Sequence, residues 1–236
     1  MRQGPHAPGL QPVPALSRRR PRARRAVVAL ALAGATAVSV WLGQQAWSLW
    51  EGTPFPVTDP AATAQRLDED TQQAYDALGL PDARLDTEWS DSGRTAEEGS
   101  CSYRGLNHLE DQLSDSPPSV PGVVVVRTVW ALKGVPAQTG QAALRRARSA
   151  LRRKGWHVTT YTAADKDIDL SATPPDGGAT VRLVTYPRDR LEVSASADCA
   201  RVPQGTAVDE TGEVPLPPQQ LPWQLSGFRH SRQTSH

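Results

Sequence analysis

Apolar positions along the chain fall into one long uncharged run, two stretches with helical spacing and a series of short alternating segments. The run, Ala26 to Leu42, holds no charge, and a helical pattern continues to Trp50, passing only Gln44 and Gln45. As a helix the run is about 26 Å long, the short end of what crosses a hydrocarbon core of about 30 Å. Trp41, Trp47 and Trp50 stand where an interfacial aromatic belt would. Downstream, Thr58-Asp59-Pro60 reads as a helix start, a capping side chain followed by proline at the first helical position. Ala64, Leu67, Ala74, Tyr75 and Leu78 then recur at helical spacing, Gly79 ends the helix, and Asp68, Glu69, Asp70 and Asp76 are assigned to its opposite face.

From Pro81 to Gly99 the pattern is that of a polar loop, with a candidate short strand at Ser100 to Arg104 and a second loop from Leu106 to Pro121. Gly122 to Leu132 is the strongest strand, apolar on both faces at its start and therefore central in a sheet. A second helix covers roughly Thr139 to Lys154, with Leu144, Ala147, Ala150 and Leu151 as its apolar stripe and Gly155 as its C-terminal cap. Trp156 to Thr162, Ile168 to Thr173, Ala179 to Tyr186 and Leu191 to about Ala197 read as further strands, with a hairpin loop at Pro174 to Gly178. The sum is an α+β domain: a mainly antiparallel sheet of four to six strands, one face covered by one or two helices, preceded by a single transmembrane helix.

Charge sharpens this division. The net charge of +1 conceals seven arginines and no acid in residues 1–25. The positive-inside rule then places the N-terminus in the cytoplasm and the body outside. A cleaved signal peptide is the competing reading, since Ala33-Gly34-Ala35 and Ala35-Thr36-Ala37 both fit a cleavage site. No cysteine lies near the run, which excludes a lipid-modified cysteine. The body is acidic overall, which argues against nucleic acid as a partner. The expected organisation is a cytoplasmic Arg/Pro-rich tail over 1–25, an anchor over 26–50, a domain over 51–202 and a disordered, proline-rich tail over 203–236.

Motifs for catalysis are missing from the sequence: no Gly-x-Ser-x-Gly elbow, His-Glu-x-x-His, P-loop, Gly-x-Gly-x-x-Gly or Cys-x-x-Cys occurs. His108 and His157 are isolated and make no ligand set. Asp165-Lys166-Asp167-Ile168-Asp169 alternates carboxylates as calcium loops do. It places Leu170 and Asp176 where that loop needs glycine and glutamate, so it reads as a charged turn. No cofactor or metal is expected. Arg145, Arg148, Arg152 and Arg153, with Arg146 and Lys154, make the second helix strongly basic. They read either as an anion-binding surface or as a solvated face paired with the acidic first helix.

The order helix, Gly155-Trp156-x-Val158-Thr159, Leu170-x-Ala172-x-x-x-Asp176-Gly177, Val181-x-Leu183, Leu191-x-Val193 and Cys199 resembles the single-pass membrane proteins and lipoproteins common in high-GC actinobacteria. The match covers residues 137–200, and its motifs are structural. The chain's arginines greatly outnumber its lysines, as in proteins from such genomes. The resemblance implies an extracytoplasmic location and brings no catalytic residues with it.

Together these features describe a tethered, non-enzymatic domain that binds an envelope component or a partner protein. The rival is an extracytoplasmic hydrolase or transferase without a recognisable motif. Cys101 and Cys199, the only cysteines, fall on the oxidising side of this topology and are expected to form a disulfide that sets the first and last strands side by side. A reactive thiol with His108 or His157 as its base is the functional alternative. Removal of Gln204 to His236 is expected to leave the melting temperature nearly unchanged. The topology is tested by reporter fusions after Pro60, which are expected to be active only outside the cytoplasm. A mature N-terminus near Val38, read by mass spectrometry, contradicts the uncleaved anchor.

Overall fold

The computed structural model describes residue 41 and residues 43–164, 167–207 and 213–226. The chain divides into two units, Met1–Trp50 and Glu51–His236. Of the first, residues 43–50 are helical, and Trp47, Leu49 and Trp50 are exposed. The rest of the anchor expected over 26–50, and the arginine-rich leader, lie outside the described residues. Among those described, no helix is long and apolar enough to cross a membrane.

In the second unit, α1 spans Pro60–Leu78. The Asp59 carboxylate accepts a hydrogen bond from the Ala61 amide at 3.0 Å, and Gly79 closes the helix at φ 60°. Its expected stripe of Ala64, Leu67, Ala74, Tyr75 and Leu78 is buried. Two short strands follow, β1 (Arg84–Leu85) and β2 (Gly93–Glu97), then β3 (Val123–Lys133) and α2 (Ala137–Arg153). The chain then runs through β4 (His157–Ala164), β5 (Asp167–Thr173), β6 (Ala179–Tyr186), β7 (Arg190–Ala197) and β8 (Ala200–Arg201). These form one antiparallel sheet in the order β1-β3-β7-β6-β5-β4, with β2 beside β1 along one side of β3 and β8 continuing β7 along the other.

The register explains the position of α2. β4 to β7 form a meander of hairpins that returns to β3, so β4 lies four places from β3 and runs parallel to it. A parallel link needs a crossover, and α2 supplies it. Its stripe of Leu144, Ala147 and Leu151 is buried, and Gly140 permits close approach, since a Cβ there would stand 3.0 Å from Thr185 Cγ2. Gly155 takes φ 85°, which lets the chain leave the helix and enter β4. Both helices cover one face of the sheet over a core that includes Trp130, Leu132, Leu144, Leu170, Leu183 and Leu191. The other face carries the polar positions of the alternation, among them Thr95, Arg127, Arg182, Ser194 and Ser196.

The disulfide forms, with Cys101 and Cys199 Cα atoms 5.9 Å apart. It covers the start of β3 on the face away from the helices, packing with Val120, Val123, Val125, Phe55 and Tyr103. This accounts for the apolar residues on both faces of that strand. The strand arrangement differs from expectation. Ser100–Arg104 is not a strand; Ser102 makes only an isolated bridge to Ser119. With no strand at Ser100–Arg104, the expected pairing of the first and last strands does not form; β7 lies between β3 and β6.

Three further corrections share one cause. The segment read as a loop from Pro81 to Gly99 holds β1 and β2, which together with β8 bring the sheet to eight strands among the described residues where four to six were expected, six of them five residues or longer. Asp68, assigned to the outer face of α1, is buried, and so is Asp70, assigned to the same face. Residues 213–226, expected to be disordered, pack against the domain. Arg94 of β2 points under α1, contacts Asp68, and donates to Pro217 O at 2.9 Å and Pro218 O at 3.2 Å. The second Asp68 oxygen accepts from the Gln220 amide at 3.2 Å. Leu216, Leu221 and Leu225 pack on the core, and Gln224 donates to Asp76 at 2.8 Å. The Trp223 ring stays exposed, while its amide donates to Gln72 at 3.0 Å.

Removal of residues 213–236 therefore strips three partly buried leucines and several hydrogen bonds from α1 and Arg94. The expected loss is on the order of 3 kcal/mol, a fall in melting temperature of roughly 10 °C for a domain of this size. Calorimetry on the truncated chain checks it; an unchanged melting temperature contradicts the docking.

Candidate functional site

The basic residues of α2 divide into two groups by direction. Arg146 turns to the end of α1, donating from Nε and Nη2 to Leu78 O at 3.0 and 2.8 Å and from Nη2 to Gly79 O at 3.2 Å. A cation there satisfies carbonyls that the helix leaves open and complements its dipole. This is where α2 meets α1, through carbonyls rather than through the acidic side chains.

Arg145, Arg148 and Arg152 recur at spacings of three and four and share another face. With Ser149 they line a hollow of about 300 Å³, closed on its far side by Tyr161 of β4. The Arg148 guanidinium lies over the Tyr161 ring, its Cζ 4.6 Å from the centroid. Among the described residues, none of these arginines forms an ion pair with a carboxylate. Arg153, expected in the same set, is exposed but does not line the hollow. Among the described residues no carboxylate neutralises the three cations, and an incoming carboxylate or phosphate can accept two or more charge-assisted hydrogen bonds.

Tyr161 and Ser149 escape sequence reasoning. Strict alternation along β4 would set Tyr161 on the face opposite Val158. A register shift between Val158 and Thr160 inserts one residue, so Tyr161 joins Val158 on the helix side. Nothing in the alternation signals that shift. Ser149 follows directly from the helical spacing once the hollow is recognised.

The other candidates do different work. His108 has a partner the sequence did not reveal: its Nδ1 lies 3.1 Å from Asp111 Oδ2, three residues on, and its ring lies 4.7 Å from that of Tyr103. His157 is exposed on β4. Of the calcium-like run, Asp165 and Lys166 lie outside the described residues, and Asp169 binds Arg182 through Nε at 2.9 Å and Nη2 at 2.6 Å. A larger hollow, about 770 Å³, opens on the sheet face away from the helices, lined by hydroxyls and by charges of both signs including Arg127, Glu97 and Glu192. At the β1 end, buried Asp86 faces Arg190 Nε at 2.8 Å, and the Arg190 guanidinium lies over Trp89.

No protein-family model matches the chain, and no curated protein matches it. Among solved structures the chain is similar to LppA of Mycobacterium tuberculosis, assigned as a lipoprotein, with 16% identity and a TM-score of 0.33 over 70% of this chain and 86% of that one. A likeness this loose carries neither fold nor function from one protein to the other.

One buried acid stands apart from the arginine hollow. Asp70 is 5% exposed, and its Oδ2 has no hydrogen-bond partner among the described residues. Burial, with the charge of Asp176 adding to it, raises its pKa to about 6, against the attraction of Arg66. Because the folded state holds this proton more tightly than the unfolded chain, its contribution to stability is full below about pH 4 and is lost as pH rises to about 6. Asp70→Asn removes that loss. At pH 7.5 the variant is expected to be more stable by on the order of 3 kcal/mol at most, with a flatter stability profile between pH 4 and 6. Denaturant unfolding across that range checks it, and an unchanged or lower stability at pH 7.5 contradicts the assignment.

Proposed function

We propose that this chain is a membrane-tethered, extracytoplasmic and non-enzymatic module that holds an anionic envelope component or partner through the arginine face of α2. The observation that carries the reading is the hollow between α2 and β4. Arg145, Arg148 and Arg152 line it, and no carboxylate pairs with them among the described residues. Unlike Arg146 and Arg94, these arginines donate no hydrogen bond to another element among the described residues. Clustered like charge disfavours the folded state slightly, so an anion that binds it gains from relieving that repulsion as well as from direct contact.

Two features support the location. The Cys101–Cys199 disulfide belongs to an oxidising compartment. The arginines before the apolar run orient an anchor with the domain outside. The surroundings suit binding better than catalysis. The arginine hollow is open and lacks an acid–base pair, and His108 and His157 do not line it.

Retention on a polyanionic matrix tests the reading. The full chain, solubilised in detergent, is expected to be retained at low salt and released as salt screens the contacts. The triple variant Arg145→Gln, Arg148→Gln, Arg152→Gln is expected to elute at clearly lower salt than the parent, the seven arginines of residues 1–25 being common to both. Equal retention of the triple variant and the parent chain overturns the assignment of the site.

A further inference from the structure

The hollow lies beside a free strand edge. β4 is the last strand of the sheet, paired with β5 on one side; among the described residues no strand pairs with the other. An edge strand directs the N–H and C=O of alternate residues outward, unpaired. Natural edges are blunted by lysine, proline, inward charge, a bulge or a covering segment. From His157 to Ala164, β4 holds no lysine, proline or carboxylate, and its bulge is confined to the first half of the strand. Its one irregularity is the shift between Val158 and Thr160, which leaves Thr160 to Ala164 in regular register with Ser171 to Asp167. At the opposite side of the sheet, β1 has only two residues, and β2 carries Glu97 and the inward Arg94, charges of the kind that blunt an edge.

These observations coincide at one place. Tyr161 belongs to the regular part of the edge strand and also closes the arginine hollow. A strand edge with a helix beside it is an arrangement suited to strand addition: main-chain hydrogen bonds supply affinity, and the hollow selects alternate side chains. The geometry points to an extended acidic polypeptide segment as the ligand. It adds as a ninth strand along β4 and sets alternate carboxylates against Arg145, Arg148 and Arg152. This rests on the anion-binding reading above and narrows it from anions in general to polypeptide. A phosphate- or uronate-bearing polymer satisfies the arginines but leaves the outward N–H and C=O groups of β4 unused.

Three probes on the full chain in detergent separate the cases. The first is an eight-residue peptide alternating valine with glutamate. The second is the same peptide N-methylated at alternate residues, which blocks main-chain donors on one edge and keeps every charge. The third is inorganic polyphosphate. The unmodified peptide is expected to bind and to slow amide exchange at Thr160 to Thr162. N-methylation on the pairing edge is expected to weaken it by about tenfold or more, as is Arg148→Gln with Arg152→Gln, exposed or half-exposed positions outside the core. If the N-methylated peptides of both registers bind as tightly as the parent, or only polyphosphate binds and does so more weakly to the Arg148→Gln, Arg152→Gln variant, strand addition is wrong while the anion site stands; polyphosphate alone, bound equally by that variant, is held by the arginines of residues 1–25 and both readings fail. If neither the peptide nor polyphosphate binds, both readings fail.

Discussion

A single buried ion pair, Asp68 with Arg94, sits where the separate parts of this domain meet. Both side chains are under a tenth exposed. Taking two charges out of water costs several kcal/mol each unless their remaining hydrogen-bonding capacity is also met. That requirement dictates the surroundings. The Arg94 guanidinium also reaches Ala64 O in α1 and the carbonyls of Pro217 and Pro218, and Asp68 also takes the Gln220 amide. The C-terminal segment is thus held by polar atoms that would otherwise be left unsatisfied, with Leu216, Leu221 and Leu225 adding apolar contact. β2, α1 and the tail are placed together by one constraint.

The same logic separates the arginines. Arg94, Arg146 and Arg182 each have carbonyl or carboxylate partners in another element, and Arg190 faces Asp86 across the sheet end. Arg145, Arg148 and Arg152 line a hollow and, among the described residues, have no such partner. Surface charges of one sign are ordinarily dispersed or paired, because crowding them costs stability and yields nothing to the fold. The disulfide serves the opposite face of the sheet. It covers the start of β3, where the helices do not reach, and closes a small apolar cluster that includes Phe55 and Tyr103.

What was legible in the sequence follows from this division. Wherever apolar burial decides the structure, periodicity reads it. β6 falls where alternation puts it, α1 begins and ends at Asp59 and Gly79, and the crossover helix carries its expected stripe. Where a charge is buried, periodicity misleads. Asp68 looks like an outer-face residue, and the Gly-Arg-Thr-Ala-Glu of β2 shows no apolar alternation because its inward arginine is neutralised by α1. The tail was unreadable for the same reason, since its anchors are main-chain carbonyls and amides. The arginines of the candidate site were legible as a set, but their separation into bridging Arg146 and free Arg145, Arg148 and Arg152 required the position of α1. Tyr161 required the shift in β4.

The central claim is that two classes of arginine coexist here, one holding the fold and one surplus to it. Thermal unfolding of two variants of the full chain, measured side by side at low salt, tests it most directly. Arg94→Gln leaves Asp68 buried without its cation, a loss of about 3–5 kcal/mol and a fall on the order of 10 °C. The triple variant Arg145→Gln, Arg148→Gln, Arg152→Gln gives up only the stacking of Arg148 on Tyr161, about 1 kcal/mol, and relieves repulsion. Its melting temperature is predicted to stay within about 4 °C of the parent. If the triple variant melts as early as Arg94→Gln, the α2 arginines belong to the fold and the account is contradicted.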